Sequence, residues 1–232
     1  MTPILASRDL ERRFDSPGGA IEVLSDATLT LGAGEVVAIL GPSGSGKSTL
    51  LHLLGGLDRP DGGEIYWGDF PVHEHAPRQL AARRARYVGL VFQNHYLLQD
   101  FTLLENVAMP SRILGAPDEQ RAAALLERVG LAGRLHHSPS KVSGGERQRA
   151  AVARALALRP KVILADEPTG SLDHVRAEEV FDLLVALAAE EGTAVVAVTH
   201  DERLVDRPGV RKLRLVDGRL VPAEVTAGEV RG

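Results

Sequence analysis

The chain has 232 residues, of which 44% are hydrophobic and 25% charged, and its net charge is -4. These values are typical of a folded globular protein, and the slight acidic excess argues against a general electrostatic grip on nucleic acid. With no cysteine, the sequence excludes disulfides and thiolate metal sites and fits a reducing compartment. The N-terminus lacks the pattern of a secretory signal, and no stretch approaches the roughly 18 apolar residues of a membrane span. Action at a membrane would therefore require another chain that crosses it.

The first third of the chain is expected to contain short alternating strands, among them "AIEVL", "ATLTL" and "EVVAIL". "EVVAIL" is apolar enough for a buried strand, and it runs directly into "GPSGSGKSTLLHLLGGL", where the apolar spacing lengthens to that of a helix. Further buried strands are predicted at "YVGLVF", "KVILAD" and "TAVVAV", with helical patterns between them. This order of elements indicates an α/β fold with a mainly parallel sheet.

The middle and the end of the chain differ from this pattern. Between Gln93 and about Ala157 the strand signals disappear, and "DEQRAAALLERVGL" and "GGERQRAAVARALAL" show helical spacing. "KLRLVDGRLV" predicts a hairpin closed by Asp217 and Gly218, followed by a short polar tail. We therefore expect one domain, in which residues 1–92 and 158–232 form the core with a β subdomain and residues 93–157 form a helical insertion.

A glycine-rich segment between the buried strand and the helix matches the phosphate-loop pattern. Glycines let backbone N–H groups close around phosphate oxygens, and the start of the helix adds positive potential. Lys47 would reach the β and γ phosphates, and the Ser48 hydroxyl would bind Mg²⁺. The alternative, a mere flexible glycine turn, is disfavoured because the segment lies between a strand and a helix. The predicted nucleotide-binding residues are Gly41, Pro42, Ser43, Gly44, Ser45, Gly46, Lys47, Ser48 and Thr49.

The strand "VILADEP" ends in two adjacent carboxylates. Taken alone, it could simply be a strand that reaches solvent at its end. In a chain with a phosphate loop, Mg²⁺ bound to the nucleotide needs a carboxylate at the carboxyl end of a neighbouring strand, and Asp166 fits that role. Glu167 would then orient or deprotonate the attacking water.

Two further polar residues follow predicted strands. Gln93 comes after "YVGLVF" and His200 after "TAVVAVT", so both are expected at the sheet edge where α/β proteins bind ligands. Either residue alone would more often be an ordinary solvated side chain. Together with the phosphate loop they suggest that Gln93 contacts Mg²⁺ and the water, and that His200 contacts the γ phosphate. The catalytic set is therefore Glu167, His200, Gln93 and Lys47, and the metal ligands are Ser48, Gln93 and Asp166.

A second helix start of the same kind occurs at "VSGGERQRAAVARAL". Ser143 and Glu146 have the spacing of a capping box, which by itself only begins a helix. Gly144 and Gly145 argue for more, because they remove side chains where free N–H groups face an anion. Since only one of the chain's loops carries the lysine, the second site would complete a nucleotide bound by another copy of the chain. A twofold dimer would then hold composite sites.

This ordered set of motifs resembles the ATP-binding-cassette (ABC) ATPases from about Leu5 to Val221. The motifs are the phosphate loop, the Q-loop glutamine, "VSGGE", "VILADE", "SLD" and His200. The resemblance implies a RecA-like P-loop NTPase core with an N-terminal antiparallel β subdomain. It also implies a head-to-tail dimer around two ATP, in which Ser143 and Gly145 face the partner's γ phosphate. Asp173 would lie at the dimer seam, and Phe14 would stack on adenine.

Within that family, the chain is most similar to the LolD group of ATPases, which drive lipoprotein release from the bacterial inner membrane. "LLHLLGGLD" and "LLQDFTLLENVAMP" carry this similarity, although Gln99 stands where that group often has proline. Macrolide-exporter and FtsE-type ATPases share much of this sequence, so export or signalling to cell-wall enzymes remains an alternative; a soluble ATPase acting on nucleic acid is disfavoured. The expected partners are few-span permease subunits with extracytoplasmic domains, and the expected location is the cytoplasmic face of the inner membrane.

The apolar stretch after the Q-loop glutamine, "NHYLLQDFTLLENVAMP", allows two interpretations. It could form the core of the helical insertion, or it could line a groove that receives a short helix of a membrane subunit. Our hypothesis is that Tyr96, Leu98 and Phe101 line such a groove.

Overall fold

The computed structural model describes residues 2–17, 19–170 and 172–224. Ser171 of the "SLD" motif and the polar tail from residue 225 lie outside the described residues. The strands are β1 (Leu5–Phe14), β2 (Ile21–Leu31), β3 (Val36–Leu40), β4 (Gly62–Trp67), β5 (Phe70–Pro71), β6 (Val88–Phe92), β7 (Val162–Asp166), β8 (Ala194–Thr199), β9 (Val210–Val216) and β10 (Arg219–Pro222). The α-helices are α1 (Lys47–Leu54), α2 (Pro77–Tyr87), α3 (Leu103–Ile113), α4 (Glu119–Arg128), α5 (Gly144–Leu156), α6 (His174–Glu190) and α7 (Glu202–Val205).

The centre of the fold is a parallel sheet. The strands follow the spatial order β5-β4-β1-β2-β10-β9-β3-β8-β7-β6, and β9, β3, β8, β7 and β6 pair in parallel. Every residue of β3 and β8 is buried, as expected for strands covered on both faces. The strands predicted at "EVVAIL", "YVGLVF", "KVILAD" and "TAVVAV" are confirmed.

The register of this sheet brings the polar strand ends together. Phe92 pairs with Asp166, Asp166 pairs with Val198, and Leu40 pairs with Thr199. The phosphate loop, Gln93, Glu167 and His200 each follow one of these strand ends directly in the sequence. The parallel register therefore places all four at one edge of the sheet.

The N-terminal part is an antiparallel sheet, in which β1 pairs with both β2 and β4. The prediction of separate strands at "AIEVL" and "ATLTL" is wrong, because both belong to the continuous strand β2. The polar residues between them do not break the strand. A shift in the β1–β2 register leaves Asp26 unpaired with β1, and the backbone N–H of Ser25 donates to the carbonyl of Gly218 at 3.1 Å.

That contact comes from the C-terminal hairpin, which is confirmed. Asp217 and Gly218 both have positive φ, 47° and 78°, as a tight two-residue turn between β9 and β10 requires. A Cβ on Gly218 would lie 2.7 Å from the Ser25 nitrogen, so glycine is needed for this close approach as well.

Three helices, α3, α4 and α5, lie in the segment between β6 and β7 and pack against one another. The helical patterns predicted for α4 and α5 are confirmed, whereas α3 had no separate prediction. Thr102 begins α3 with a capping box to Glu105. Leu103 and Val107 are buried here, whereas Leu98 is 44% exposed, so only part of the apolar stretch forms core.

Among the residues that the structure describes, every helix is too short or too polar to span a bilayer.

Candidate active site

The phosphate loop connects the buried strand β3 to α1. Gly44 and Gly46 have φ of 80° and 99°, and a Cβ on Gly46 would lie 2.6 Å from Val23 Cγ1, so a side chain there would clash. Lys47 begins α1 and is 6% exposed. Its Nζ donates to the carbonyls of Gly41 and Pro42 at 2.8 Å each, which folds the side chain back across the loop. The loop is thus a backbone cradle with one ammonium group inside it.

The carboxylates at the end of β7, Asp166 and Glu167, face this loop. The Ser48 hydroxyl donates to Asp166 Oδ1 at 3.0 Å, so these two proposed metal ligands are already in contact. Glu167 Oε1 lies 3.0 Å from His200 Nδ1 and 3.9 Å from Lys47 Nζ. Because a carboxylate only accepts hydrogen bonds, His200 must carry its proton on Nδ1 in this contact. The other ring nitrogen, Nε2, takes no part in the hydrogen bond to Glu167.

A single cavity of about 870 Å³ joins these groups, which is within the usual range of ligand sites. It is lined by Val23, Pro42, Ser43, Gly44, Gly46, Lys47, Ser48, Thr49, His52, Phe92, Gln93, Asn94, Tyr96, Asp166, Glu167 and His200. The structure therefore brings together all of the catalytic and metal residues expected from the sequence. Gly41 and Ser45 belong to the same loop but do not line the cavity.

The second helix start does not share this cavity. Ser143 Oγ accepts from the Glu146 N–H at 3.2 Å, and Glu146 Oε2 accepts from the Ser143 N–H at 2.7 Å, so the expected capping box is present. The hydrogen bond from the Ser143 backbone lowers the pKa of Glu146, and Arg134 adds to this. Within the described part of the chain, Ser143, Gly144, Gly145 and Glu146 are absent from the cavity lining.

Phe14 and Asp173 also lie outside the cavity lining. Phe14 ends β1 and is 41% exposed, with the Arg12 guanidinium 4.7 Å from its ring centroid. Asp173 caps α6, since its side chain accepts from the Arg176 N–H at 3.1 Å.

Several lining residues had no functional prediction from the sequence. Asn94 follows Gln93 directly, and His52 lies one helical turn after Ser48 on α1, so proximity to the motifs could have indicated both. Val23 comes from β2, far away in sequence, and nothing in the pattern points to it.

The residues present suit a Mg²⁺-nucleotide. The cradle of left-handed glycines leaves backbone groups free to approach phosphate oxygens, and Gly44 has no heavy atom within 4 Å of a would-be Cβ. Among the described residues, no group of three or more His, Cys, Asp or Glu side chains forms a metal cage. Mg²⁺ is usually held by one or two carboxylates together with substrate phosphates, and Asp166, in contact with Ser48, offers one such carboxylate.

Comparison with known proteins agrees with this geometry. The profile of the ABC transporter family matches residues 24–170. The chain belongs to the ABC transporter family. As an ABC cassette it is an ATPase with an α/β nucleotide-binding fold.

Curated ABC relatives cover nearly the whole chain. "Lipoprotein-releasing system ATP-binding protein LolD" of Idiomarina loihiensis is 48% identical over 207 residues, which is 88% of this chain and 91% of the relative. The protein of the same name from Geobacter metallireducens is 46% identical over 95% of this chain and 99% of its own length.

Solved ABC cassettes share the fold. A dimeric structure of the cassette MJ0796 in a post-hydrolysis state, bound to ADP and Pi, has a TM-score of 0.84 and 37% identity. That comparison covers 93% of this chain and 96% of the other.

Proposed function

We propose that this chain is the ATP-hydrolysing subunit of a bacterial transporter that releases lipoproteins from the inner membrane. Support for the cargo comes from the relatives named as lipoprotein-releasing ATP-binding proteins, which are 46% to 48% identical over most of the chain.

The observation that carries the mechanism is the separation of the two anion-binding helix starts. The cavity that contains Lys47 and Glu167 includes no residue of the segment Ser143 to Glu146, although that segment has the capped, glycine-bearing helix start of an anion site. A second copy of the chain, placed head to tail, would bring its own Ser143 and Gly145 to this cavity. The related cassette MJ0796 has been solved as a dimer, which supports dimerisation of this chain.

In this dimer, ATP is the substrate and lies on the phosphate loop. Lys47 exchanges its two carbonyl contacts for phosphate oxygens, and Glu167 accepts a proton from the attacking water. His200 holds Glu167 in place through Nδ1 and directs Nε2 towards the γ phosphate. Phe14 stacks on adenine, with Arg12 behind its other face.

Ser48, Gln93 and Asp166 would hold Mg²⁺ beside the phosphates, where the ion would neutralise charge that develops during hydrolysis. A Cβ on Gly170 would lie 2.9 Å from Gln93 Nε2, so the glycine leaves room for this side chain. Asp173 would lie at the dimer seam, close to the partner's phosphate loop.

A membrane permease is the proposed third component, which would hold this chain at the cytoplasmic face of the membrane. The structure contains an apolar groove of about 430 Å³ between α2 and β6 on one side and α3 and α5 on the other. It is lined by Ala81, Arg84, Ala85, Val88, Gly89, Leu90, Phe92, Pro110, Ile113, Arg154, Ala155 and Leu158. Tyr96, Leu98 and Phe101 are not among these residues, so this groove differs from the one hypothesised from the sequence.

We propose that a short, partly acidic permease helix occupies this groove. Ile113 is 75% exposed at its rim, and Arg84 and Arg154 contribute positive charge to an otherwise apolar surface. Ile113→Asp should abolish the stimulation of ATPase activity by the permease and leave basal hydrolysis unchanged. Leu98→Asp is the matched comparison, because Leu98 is 44% exposed but lies outside the groove. Loss of stimulation with Leu98→Asp alone would favour the surface hypothesised from the sequence.

The function is tested by trapping the complex. Tagged Glu167→Gln protein is purified with ATP and Mg²⁺ from mildly solubilised native membranes, and every co-purifying chain is identified by mass spectrometry. Few-span subunits with large extracytoplasmic domains, together with acylated proteins, are expected. Co-purification of cell-wall enzymes would move the function to signalling, and ribosomes or nucleic acid alone would contradict the membrane assignment.

A further inference from the structure

The segment that follows the catalytic Gln93 is hydrogen-bonded to α5, the helix that begins at the Ser143 capping box. His95 is only 8% exposed, and its ring lies between two backbone carbonyls. Its Nδ1 is 2.9 Å from the carbonyl oxygen of Gln93, and its Nε2 is 3.1 Å from that of Gly144 in the first turn of α5. One buried side chain thus reaches from Gln93 to the first turn of α5.

Two other side chains of α5 hold the same segment. The Arg154 guanidinium donates to the carbonyls of His95 and Tyr96, at 2.6 and 2.5 Å. Gln148 Nε2 lies 3.4 Å from the carbonyl of Phe92, the residue before Gln93. Arg154 and Gln148 therefore hold both ends of the segment on α5, and His95 reaches the first turn of that helix.

The chemistry of the ring makes this link specific. Both partners are carbonyl oxygens, which only accept hydrogen bonds, and a neutral imidazole has a single N–H. A neutral ring therefore donates to one of the two carbonyls at a time, and only a ring protonated on both nitrogens donates to both. His95 also has a φ of 56°, a left-handed conformation that is uncommon for residues other than glycine. Such a conformation persists only where surrounding contacts hold it.

We propose that His95 is a positioning residue that couples the two ATP sites of the dimer. This rests on the proposed function, in which Gln93 serves the nucleotide on its own subunit and Gly144 faces the nucleotide of the partner. When the partner's ATP draws the N-terminus of α5 towards it, the His95 ring moves with Gly144 and shifts the backbone of Gln93. Occupation of one site then changes the geometry of the other.

The test measures how hydrolysis depends on ATP concentration. For the wild type, a Hill coefficient above 1 is expected, since cooperativity between two sites allows values up to about 2. His95→Phe keeps a planar ring without N–H groups, and His95→Asn tolerates the left-handed backbone but is too short to span both carbonyls. Both should lower the Hill coefficient to about 1 and kcat by about two- to tenfold, which corresponds to one hydrogen bond. Binding of a non-hydrolysable ATP analogue to the monomer should be unchanged.

His95→Gln provides the rescue, because its amide can donate to a carbonyl over a similar length, and it should retain most of the cooperativity. His136→Gln is the matched control, since His136 is an exposed histidine of the same helical segment. An unchanged Hill coefficient in His95→Phe and His95→Asn would overturn the proposal, as would equal loss in His95→Gln. If the wild type itself neither dimerises with ATP nor hydrolyses it, the proposed function fails instead.

Discussion

The Glu167→Gln variant is expected to bind ATP and to hydrolyse it about 10²- to 10⁴-fold more slowly than the wild type, the usual range for loss of a general base. This corresponds to about 3 to 5 kcal/mol of activation free energy. The substitution preserves the size of a side chain that is 18% exposed and lies 3.0 Å from His200. It removes only the charge and the basicity, so an effect of this size would come from the chemical step.

The assay is phosphate release at saturating ATP and Mg²⁺, combined with size-exclusion chromatography of the same samples. Slow hydrolysis should cause an ATP-bound dimer to accumulate in the variant and not in the wild type. Glu64→Gln is the matched control, because Glu64 lies on β4, pairs with Arg8 and is not among the residues that line the nucleotide cavity. Its turnover should equal that of the wild type.

Turnover of Glu167→Gln within about threefold of the wild type would refute the assignment, because a general base contributes far more. His200 would then be the next candidate for activating water. A variant that loses ATP binding altogether would instead show that the Glu167 carboxylate supports the phosphate loop through its 3.9 Å approach to Lys47.

Other substitutions test the surroundings of the site. Gly170→Ala should lower kcat severalfold with little change in melting temperature, because its Cβ would meet the flexible end of Gln93 at 2.9 Å. Ser48→Ala should raise the Mg²⁺ concentration for half-maximal activity by at least about tenfold, as the loss of a hydroxyl next to the metal predicts. Gly89→Ala should destabilise the fold by about 1 to 3 kcal/mol in urea unfolding, because its Cβ would lie 2.5 Å from a carbonyl of α5. Gly133→Ala should leave the free energy of unfolding nearly unchanged, because no heavy atom lies within 4 Å of where its Cβ would be.

The sequence predicts the core of the fold well because the relevant signals are local. Four apolar runs of strand length correctly predicted β3, β6, β7 and β8, and the Asp217-Gly218 pair correctly predicted the turn of the final hairpin. The polar residues that follow these strands reached one cavity, since parallel strands end at the same edge.

Features of the fold that depend on contacts between residues distant in sequence could not be predicted from local patterns. The continuity of β2 across Ser25 and Asp26 depends on a bulge opposite β1 and on the turn at Gly218, almost 200 residues later in the chain. Val23 reaches the nucleotide cavity only through this strand. The location of the apolar groove likewise depends on α2 and α3, which are separate in sequence, lining the same groove, and no local pattern contains this.

The backbone conformation at the end of β7 determines where the two adjacent carboxylates, Asp166 and Glu167, point. In an extended strand, successive side chains point to opposite faces, so Asp166 and Glu167 should not reach the same cavity. Both line it, because Glu167 leaves the strand with a φ of 45° and donates its N–H to the Val198 carbonyl at 3.0 Å. A left-handed residue other than glycine costs about 1 to 2 kcal/mol. The fold therefore tolerates strain at Glu167 in order to place one carboxylate beside Ser48 and the next beside His200.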